Sequence, residues 1–326
     1  MMQTHARKAT TGAVIGGGLL GLEAAKAMLD LGITNTQVIE FAPRLMPRQI
    51  DAAGSGILKD KLELLGLKIH TSKNTIEILG NDAITGMKFS DDTTIEVDML
   101  VISAGIKPRD ELAKLCGLET GLRGGIVVND QLQTADPYIY AIGECALYKG
   151  MVYGLVAPGY EMAEVLAKNI ASLNSSERRT LDSESLDHTA DDKGNSTISS
   201  EGASFTGYDM STKLKLIGID VASFGDPFIH GADIRTVVFE DTMKGVYKRI
   251  NISADGKELL GGILVGDATQ YNMLLQTCKS KIVLPPNPED IIIGARGGEA
   301  ETGAGVQGLP DEAMICSCES ITKGDI

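Results

Sequence analysis

Residues 13–21 of the chain read AVIGGGLLG and decide its fold. An apolar run, a glycine-rich turn and the start of a helical pattern follow one another there. Gly16, Gly18 and Gly21 match the spacing G-x-G-x-x-G. In that motif the first glycine permits a tight turn, the second admits a pyrophosphate, and the third lets the helix pack on the strand. Free N–H groups and the positive end of the helix dipole would face the anion, so the stretch predicts a dinucleotide site.

The sequence beyond the turn continues as a helix and a second strand. Residues 19–31 place apolar side chains at helical spacing, and Gly32 is suited to end that helix. Residues 37–39 are an apolar strand that ends at Glu40, 24 residues after Gly16. A carboxylate about twenty residues beyond the first glycine is the usual partner of an adenosine ribose. The alternative is a helix–strand turn that binds no ligand.

The composition argues against several classes of function. The net charge is −14 and the pI is about 4.8, which disfavours a nucleic-acid surface and binding to an anionic membrane. The five cysteines are unevenly spaced, unlike the disulfide framework of a secreted protein. No apolar run approaches the roughly twenty residues of a membrane span, and residues 1–11 lack the apolar segment of a secretory signal. We therefore expect a cytoplasmic protein without nucleic-acid or membrane partners.

The rest of the first hundred residues also alternates helix and strand. Asp51 is suited to cap a helix that Gly66 ends, and residues 67–70 follow as a third parallel strand. Residues 98–103 are a further apolar strand. Three short alternating runs between these strands predict an antiparallel meander, at residues 75–79, 84–89 and 94–97. The fold class is therefore α/β, with a Rossmann-like domain of three layers, ββα.

The middle of the chain has weaker signals. Residues 124–133 predict two strands joined by a turn, and residues 134–145 predict a buried strand that ends in a glycine and a carboxylate. A helix is predicted over residues 159–170. Residues 171–204 are rich in Ser, Asp, Glu and Thr, which predicts a disordered insertion.

The C-terminal third returns to regular patterns. Residues 245–252 and 259–265 flank an Asp-Gly turn, which predicts a hairpin, and a helix is predicted over residues 268–279. Residues 294–310 are rich in glycine and predict a flexible linker. The sequence Cys316-Ser317-Cys318 follows.

Two motifs together resemble the two-dinucleotide flavoprotein reductases. In that family an FAD domain is interrupted by an NAD(P)H domain, and each part has its own glycine motif. The glycine turn at residues 16–21 lies about 125 residues before Gly143-Glu144, which resembles the family's flavin motif. The resemblance implies that residues 16–21 are the NAD(P)H site and that the first half of the FAD domain is absent from this chain.

The resemblance also implies which residues contact the cofactors. Residues 101–108 resemble the crossover strand that leaves the NAD domain, and residues 140–146 resemble the flavin motif, with Glu144 where the family usually has Asp. Residues 155–159 open a helix whose N-terminus points at the flavin in the family. Hydride would pass by stacking of the rings, so no catalytic side chain is expected. The cofactor contacts expected from the motifs and the resemblance are Gly16, Gly17, Gly18, Leu19, Leu20, Gly21, Glu40, Phe41, Arg44, Arg48, Ala104, Gly105, Ile106, Gly143, Glu144, Ala157, Pro158 and Gly159.

Further stretches resemble the NAD(P)H-dependent assimilatory nitrite reductases of the large, sirohaem-containing type. These are residues 38–49, 153–161 and 210–216, and the serine-rich insertion favours a fungal-type member. Residues 314–326 resemble the start of a small iron–sulfur domain, with Cys316 and Cys318 as two of its four metal ligands. The resemblance implies NAD(P)H and FAD as cofactors, with the FAD site incomplete in this chain. It places the iron–sulfur cluster and sirohaem in the full-length family proteins only.

The expected domains follow from these assignments. They are an NAD(P)H-binding domain (10–105), the C-terminal half of an FAD-binding domain (106–170), a disordered insertion (171–204), a small α+β reductase C-terminal domain (205–285), a linker (286–313) and a truncated iron–sulfur domain (314–326). The alternatives are a rubredoxin or ferredoxin reductase-like enzyme, or a dinucleotide-binding fragment that catalyses nothing. Glu40 favours NADH, whereas Arg44 could bind the 2′-phosphate of NADPH, so the preference stays open. The C-terminal domain helps subunit packing in relatives, which implies a homodimer.

Overall fold

The computed structural model describes residues 2–183, 202–293, 314–316, 321–322 and 324. Its contacts divide the chain into two units. The first unit contains Met1–Gly105 and Met210–Ile326, and the second contains Ile106–Asp209. Among the described helices, none is both long and apolar enough to cross a membrane.

A parallel sheet forms the centre of the N-terminal part of the first unit. Its strands are β1 (Thr11–Ile15), β2 (Asn35–Ile39), β3 (Lys68–His70) and β7 (Met99–Ile102), in the order β3-β2-β1-β7. The middle residues of β1 are all buried, as expected for a continuous apolar run in a parallel sheet. Three helices belong to this part: α1 (Met2–Ala6), α2 (Leu19–Asp30) and α3 (Ala52–Leu64). Asp51 caps α3 by accepting a hydrogen bond from Gly54 N at 3.0 Å, as predicted.

An antiparallel sheet forms the third layer of this part. Its strands are β4 (Thr75–Gly80), β5 (Ile84–Phe89) and β6 (Thr94–Glu96). Met87, Phe89 and Val97 pack with Ala13 and Ile39 of the parallel sheet in one apolar cluster. The predicted ββα architecture is thereby confirmed.

A second antiparallel sheet lies in the C-terminal part of the first unit. Its strands are β10 (Thr212–Leu216), β11 (Ile219–Gly225), β12 (Ile234–Asp241), β13 (Val246–Ser253) and β14 (Leu259–Val265), in the order β10-β11-β14-β13-β12. The predicted hairpin is β13–β14, and Gly256 in its turn has φ +78°. The helices α6 (Tyr271–Lys279) and α7 (Asp290–Ile293) follow. Beyond them, β15 (Met314–Cys316) pairs with β16 (Ile321–Thr322).

One hydrophobic core joins the N-terminal and C-terminal parts of the first unit. Leu22 of α2 and Leu58 of α3 belong to the same buried cluster as Tyr247 and Val265 of the C-terminal sheet. The other face of that sheet packs on α6 through a separate cluster that includes Phe224 and Leu274. The C-terminal sheet is therefore covered by apolar side chains on both faces.

The second unit differs from its sequence prediction. It contains α4 (Glu111–Leu115), β8 (Ile126–Val128), β9 (Ala146–Tyr148), a 3₁₀ turn (Gly143–Cys145) and α5 (Val156–Ser183). The strand pair predicted within residues 124–133 is wrong, because β8 pairs in parallel with β9. The strand predicted over residues 134–145 is also wrong. Asp136 and Pro137 make a turn there, Tyr138 N donates to Asp136 Oδ1 at 2.9 Å, and Tyr138 is 91% exposed.

The segment predicted as a disordered insertion is only partly described. Helix α5 begins at Val156 and continues to Ser183, so residues 171–183 are helical. Residues 184–201 lie outside the described residues. Asn169 Nδ2 donates to Ala203 O at 2.9 Å, so the end of the segment packs within the second unit. Phe205, the first residue after the segment, is fully buried, and its N–H donates to Asp130 O at 2.8 Å.

Candidate dinucleotide and flavin sites

The glycine turn after β1 leaves no room for side chains at two positions. Gly16 has φ +118°, and a Cβ atom added there would lie 2.2 Å from the carbonyl oxygen of Ser103. A Cβ atom added at Gly21 would lie 2.0 Å from the carbonyl oxygen of Gly16. Both distances are far below van der Waals contact, so the backbone of the turn, of α2 and of the Ser103 segment can approach only because these residues are glycines.

Gly18 has a different environment. A Cβ atom added at Gly18 would meet no atom within 4 Å. Gly18 is also the N-cap residue of α2, and no side chain caps this helix. The first N–H groups of an uncapped helix can bind an anion, and the helix dipole adds to the attraction. The geometry thus fits a pyrophosphate that approaches the backbone at Gly18, Leu19 and Leu20.

Glu40 is fixed against this turn by two backbone N–H groups. Its Oε2 accepts a hydrogen bond from Gly17 N at 2.6 Å, and its Oε1 accepts one from Ala42 N at 2.6 Å. Each carboxylate oxygen has a further lone pair. The half-buried carboxylate can therefore still accept hydrogen bonds from the hydroxyls of a ribose.

The loop after Glu40 is held to the glycine turn. Met46 N donates to Gly17 O at 3.0 Å, and both Leu45 and Met46 are fully buried. Phe41, at the start of the loop, is 73% exposed, and Leu20 at the start of α2 is 70% exposed. These two apolar side chains lie on the same short segments as the polar groups of the site.

The two arginines of the loop have different environments. Arg44 Nε donates to Ile50 O at 3.1 Å, and Arg44 Nη2 donates to Pro47 O at 3.1 Å. Its guanidinium also lies 5.9 Å from the ring centre of Phe228 in the C-terminal part. Arg44 is therefore engaged with its own loop, and this geometry does not favour the phosphate contact expected from the sequence. Arg48 is exposed.

Behind the loop lies a polar cluster that the sequence did not indicate. Asp51 Oδ2 accepts hydrogen bonds from Tyr247 Oη at 2.6 Å and from Arg249 Nη1 at 2.9 Å. Burial opposes ionisation of Asp51, but the hydrogen bonds from Tyr247, Gly54 and Arg249 outweigh it and hold the pKa of Asp51 below its usual value. Burial, followed by the Asp51 carboxylate, raises the pKa of Tyr247. The cluster connects α3 to β13 and stays charged at neutral pH.

The segment that leaves the parallel sheet begins at Ser103. Ser103 N donates to Ile15 O at 2.8 Å, which extends the pairing of β7 with β1. Ala104 is exposed, and Gly105 has φ +95° with no atom within 4 Å of an added Cβ. Ile106 is the first residue of the second unit.

The second unit gathers the residues expected at a flavin. Gly143 has φ +76°, and a Cβ atom added there would meet no atom within 4 Å. Its N–H lies 3.3 Å from Met162 Sδ, and a Cβ atom added at Gly159 would lie 3.5 Å from Gly143 Cα. The first turn of α5 therefore contacts Gly143, which is followed by the exposed carboxylate of Glu144. Pro158 is buried, and Ala157 is exposed.

This arrangement fits part of a flavin site. Gly143 offers accessible backbone, Glu144 offers an acceptor for a hydroxyl, and the start of a 28-residue helix offers N–H groups and a positive dipole end. Ala157, Pro158 and Gly159 lie in that first turn. The fold therefore brings these predicted flavin contacts next to the predicted pair Gly143 and Glu144.

Metal binding is not visible in the described part of the chain. Within it, no group of three or more His, Cys, Asp and Glu side chains is arranged to hold a metal ion. The backbone of Cys316 lies in β15, and Cys318 is outside the described residues. The proposed ligand pair therefore stays a prediction.

Comparisons with known proteins show which family the chain belongs to. Residues 3–168 match the family model described as pyridine nucleotide-disulphide oxidoreductase, and residues 211–282 match the rubredoxin NAD+ reductase C-terminal domain. The nitrite reductase (NADH) large subunit of Escherichia coli K12 is 47% identical over 100% of this chain and 35% of its own length. The nitrite reductase [NAD(P)H] of Neurospora crassa is 35% identical over 98% of this chain and 28% of its own length.

The similarity covers the whole chain but only part of each relative. The chain spans about a third of the length of the curated relatives it matches. Identity is higher to the bacterial protein than to the fungal one, so it does not favour the fungal type expected from the insertion. A ferredoxin reductase from Rhodopseudomonas palustris has the same fold, with a TM-score of 0.63 and 23% identity over 89% of this chain and 64% of that one. The chain belongs to the pyridine nucleotide-disulphide oxidoreductase family, whose members use FAD and NAD(P)H.

Proposed function

We propose that this chain is the electron-input part of an NAD(P)H-dependent assimilatory nitrite reductase. In this role the chain would hold NAD(P)H and FAD, which when bound would supply hydride-transfer chemistry and pass electrons towards the iron–sulfur and sirohaem centres of a full-length nitrite reductase. The observation that carries the proposal is the match of the whole chain to a nitrite reductase large subunit, together with a glycine turn whose geometry fits a dinucleotide.

The residues of the first unit bind and orient the dinucleotide. The N–H groups at the start of α2 hold the pyrophosphate, and Gly18 leaves it space to approach. Glu40 accepts hydrogen bonds from the ribose hydroxyls, while Gly17 and Ala42 keep its carboxylate in place. The protein contributes orientation and electrostatics to the transfer, without a covalent step.

The residues of the second unit hold the flavin. The exposed carboxylate of Glu144 would accept a hydrogen bond from a hydroxyl of the flavin side chain, beside the accessible backbone of Gly143. The positive end of the α5 dipole would stabilise negative charge on a flavin ring bound there.

The site favours NADH over NADPH. A 2′-phosphate would bring negative charge to the carboxylate of Glu40. Arg44, the nearest arginine in sequence, donates instead to Ile50 O and Pro47 O. Paired titrations with NADH and NADPH test this preference, and equal affinities would contradict it.

The substitution Gly18→Asp tests the function. Aspartate is a favoured N-cap residue and Gly18 has φ −83°, so the helix should form normally. The new carboxylate would, however, occupy the space of the pyrophosphate and accept hydrogen bonds from the N–H groups at the start of α2 that would otherwise bind it. We expect NADH affinity to fall by at least about a hundredfold, as loss of a pyrophosphate site would cost several kcal/mol. Unchanged binding, measured by quenching or by the shift of NADH fluorescence, would refute the proposed site.

Gly56→Asp is the matched control. Gly56 is an exposed residue of α3, and a Cβ atom added there meets no atom within 4 Å. This variant adds the same charge far from the glycine turn in sequence and should bind NADH as the unchanged chain does. The absorption spectrum of the purified protein tests the flavin site separately. A flavin spectrum supports electron input, and a colourless protein that binds NADH supports the non-catalytic alternative.

The proposal includes a cytoplasmic location and a homodimer. Among the described residues, Cys116 and Cys145 are free thiols, as expected in a reducing compartment.

A further inference from the structure

Strand β12 lies at the edge of the C-terminal sheet. It contains eight residues, Ile234–Asp241, and within the described ranges it pairs with β13 alone. All eight residues are in register with β13, without a bulge. The strand contains no proline and no lysine. Its charged residues are Arg235, Glu240 and Asp241. Because neither a proline nor a bulge interrupts its free edge, β12 can pair with another strand.

The geometry of a two-fold axis restricts how β12 could pair with itself. In an antiparallel strand pair, the side chains of directly opposite residues point to the same face of the sheet. A two-fold axis perpendicular to the sheet also leaves each side chain on its original face. The axis must therefore pass beside one residue, which then faces its own copy. Residues at equal distances on either side of that residue become opposite each other.

An axis beside Val238 gives a complementary register. Arg235 then faces Asp241 of the second copy, and Val237 faces Phe239. Arg235 and Val238 are exposed, and Val237 and Phe239 are partly buried at the border of the α6-side core. Within the described residues Arg235 has no ion pair, and Asp241 Oδ1 accepts a hydrogen bond from Lys244 N, which leaves its second oxygen free to pair.

Neighbouring registers lack this match. An axis beside Val237 would place Asp233 opposite Asp241, so two like charges would face each other. An axis beside Phe239 would place Asp241 opposite Val237 and would leave Arg235 opposite Met243. Charge complementarity therefore selects Val238 as the centre.

We propose that two copies of this chain join through their β12 strands, antiparallel about a two-fold axis at Val238. The two five-stranded sheets then form one continuous sheet, with an Arg235–Asp241 pair at each end of the contact. This inference gives a surface to the homodimer of the proposed function. It concerns assembly, so its failure would leave NADH binding untouched.

Charge reversal tests the proposal on the full chain. Sedimentation equilibrium over a wide concentration range should show a monomer–dimer equilibrium. Arg235→Asp and Asp241→Arg each place like charges opposite each other at both ends of the contact, so each should weaken the dimer by at least about tenfold. The double variant Arg235→Asp, Asp241→Arg restores opposite charges and should restore the dimer.

A cross-linking experiment tests the register. Val238→Cys places two thiols directly opposite each other, at a Cβ separation of about 5 Å that suits disulfide formation with a small adjustment. Under mild oxidation we expect a covalent dimer. Thr236→Cys is the control, because Thr236 lies on the same exposed face of β12 but faces Glu240 of the second copy.

The experiments distinguish a wrong dimer from a wrong register. A monomer at all concentrations would overturn the proposal, as would a dimer that neither reversal weakens. A dimer that the single reversals weaken and the double variant does not restore would overturn the register. Each variant is also titrated with NADH, and unchanged binding shows that the first unit is folded.

Discussion

The cluster of Asp51, Tyr247 and Arg249 allows a quantitative prediction about how the first unit is held together. Asp51→Ala removes the N-cap of α3, which costs about 1 kcal/mol. It also removes the ion-pair partner of the Arg249 guanidinium. The side chains of Arg249 and Asp51 are only 13% and 16% exposed, respectively. Breaking a buried pair costs about 3–5 kcal/mol, and the residual exposure reduces that figure. We expect a total loss of about 3–4 kcal/mol in the free energy of unfolding.

Urea denaturation followed by far-UV circular dichroism measures this loss. Asp51→Asn separates its two components, since asparagine caps helices as well as aspartate does but cannot pair with Arg249 as an anion. The loss for Asp51→Asn should therefore be smaller by about 1 kcal/mol. Asp30→Ala is the control, because Asp30 forms an exposed pair with Lys26 on α2, worth at most about 0.5 kcal/mol. An Asp51→Ala loss no larger than the Asp30→Ala loss would refute the reasoning.

The same cluster has a defined pH dependence. The pKa of folded Asp51 is lowered, so its contribution to stability is present above its unfolded value of 3.8 and is lost as pH falls through the folded value. The difference between the unchanged chain and Asp51→Ala should accordingly be constant near neutrality and shrink below about pH 4. A difference that grew on acidification would show that another group carries the effect.

Two further predictions concern the glycine turn. Glu40→Ala removes the acceptor of the Gly17 and Ala42 N–H groups, so NADH affinity should fall by about tenfold or more while NADPH affinity changes less, and paired titrations check this. An equal loss for both would contradict a role at the 2′ position. Gly21→Ala forces a Cβ atom to within 2.0 Å of Gly16 O, so stability should fall by more than about 2 kcal/mol in the same urea assay. Gly56→Ala, which meets no atom, should be neutral or stabilising.

The N-terminal part was predictable because its signals are local. The turn around Gly16, the cap at Asp51 and the glycine at position 66 each act within a few residues of themselves. The structure contains all three, with φ +118° at Gly16 and φ +97° at Gly66. Dinucleotide folds concentrate their constraints in such short segments, so one sequence suffices to find them.

The features that escaped prediction depend on distant partners. Tyr247 and Asp51 are 196 residues apart in sequence, and no periodic pattern relates them. Arg44 contacts a carbonyl group of its own loop and the ring of Phe228. These partners are uncharged, so the sequence gives no sign that they would bind an arginine. In residues 134–145, apolar composition suggested a strand, but the Asp136-Pro137 turn overrides it. Local propensity fails where a tertiary contact or a single turn decides the backbone.

The core shared by the two parts of the first unit has a consequence for the order of folding. The core that contains Leu22 and Leu58 is completed by Tyr247 and Val265. The whole second unit lies between these two pairs in the sequence and is synthesised in the interval. During translation, the apolar faces of α2 and α3 therefore stay incompletely covered until β14 has left the ribosome. Contacts of this separation slow folding and expose the chain to aggregation in the interval. The glycine turn and α2 are therefore made before the strands that complete the core around them.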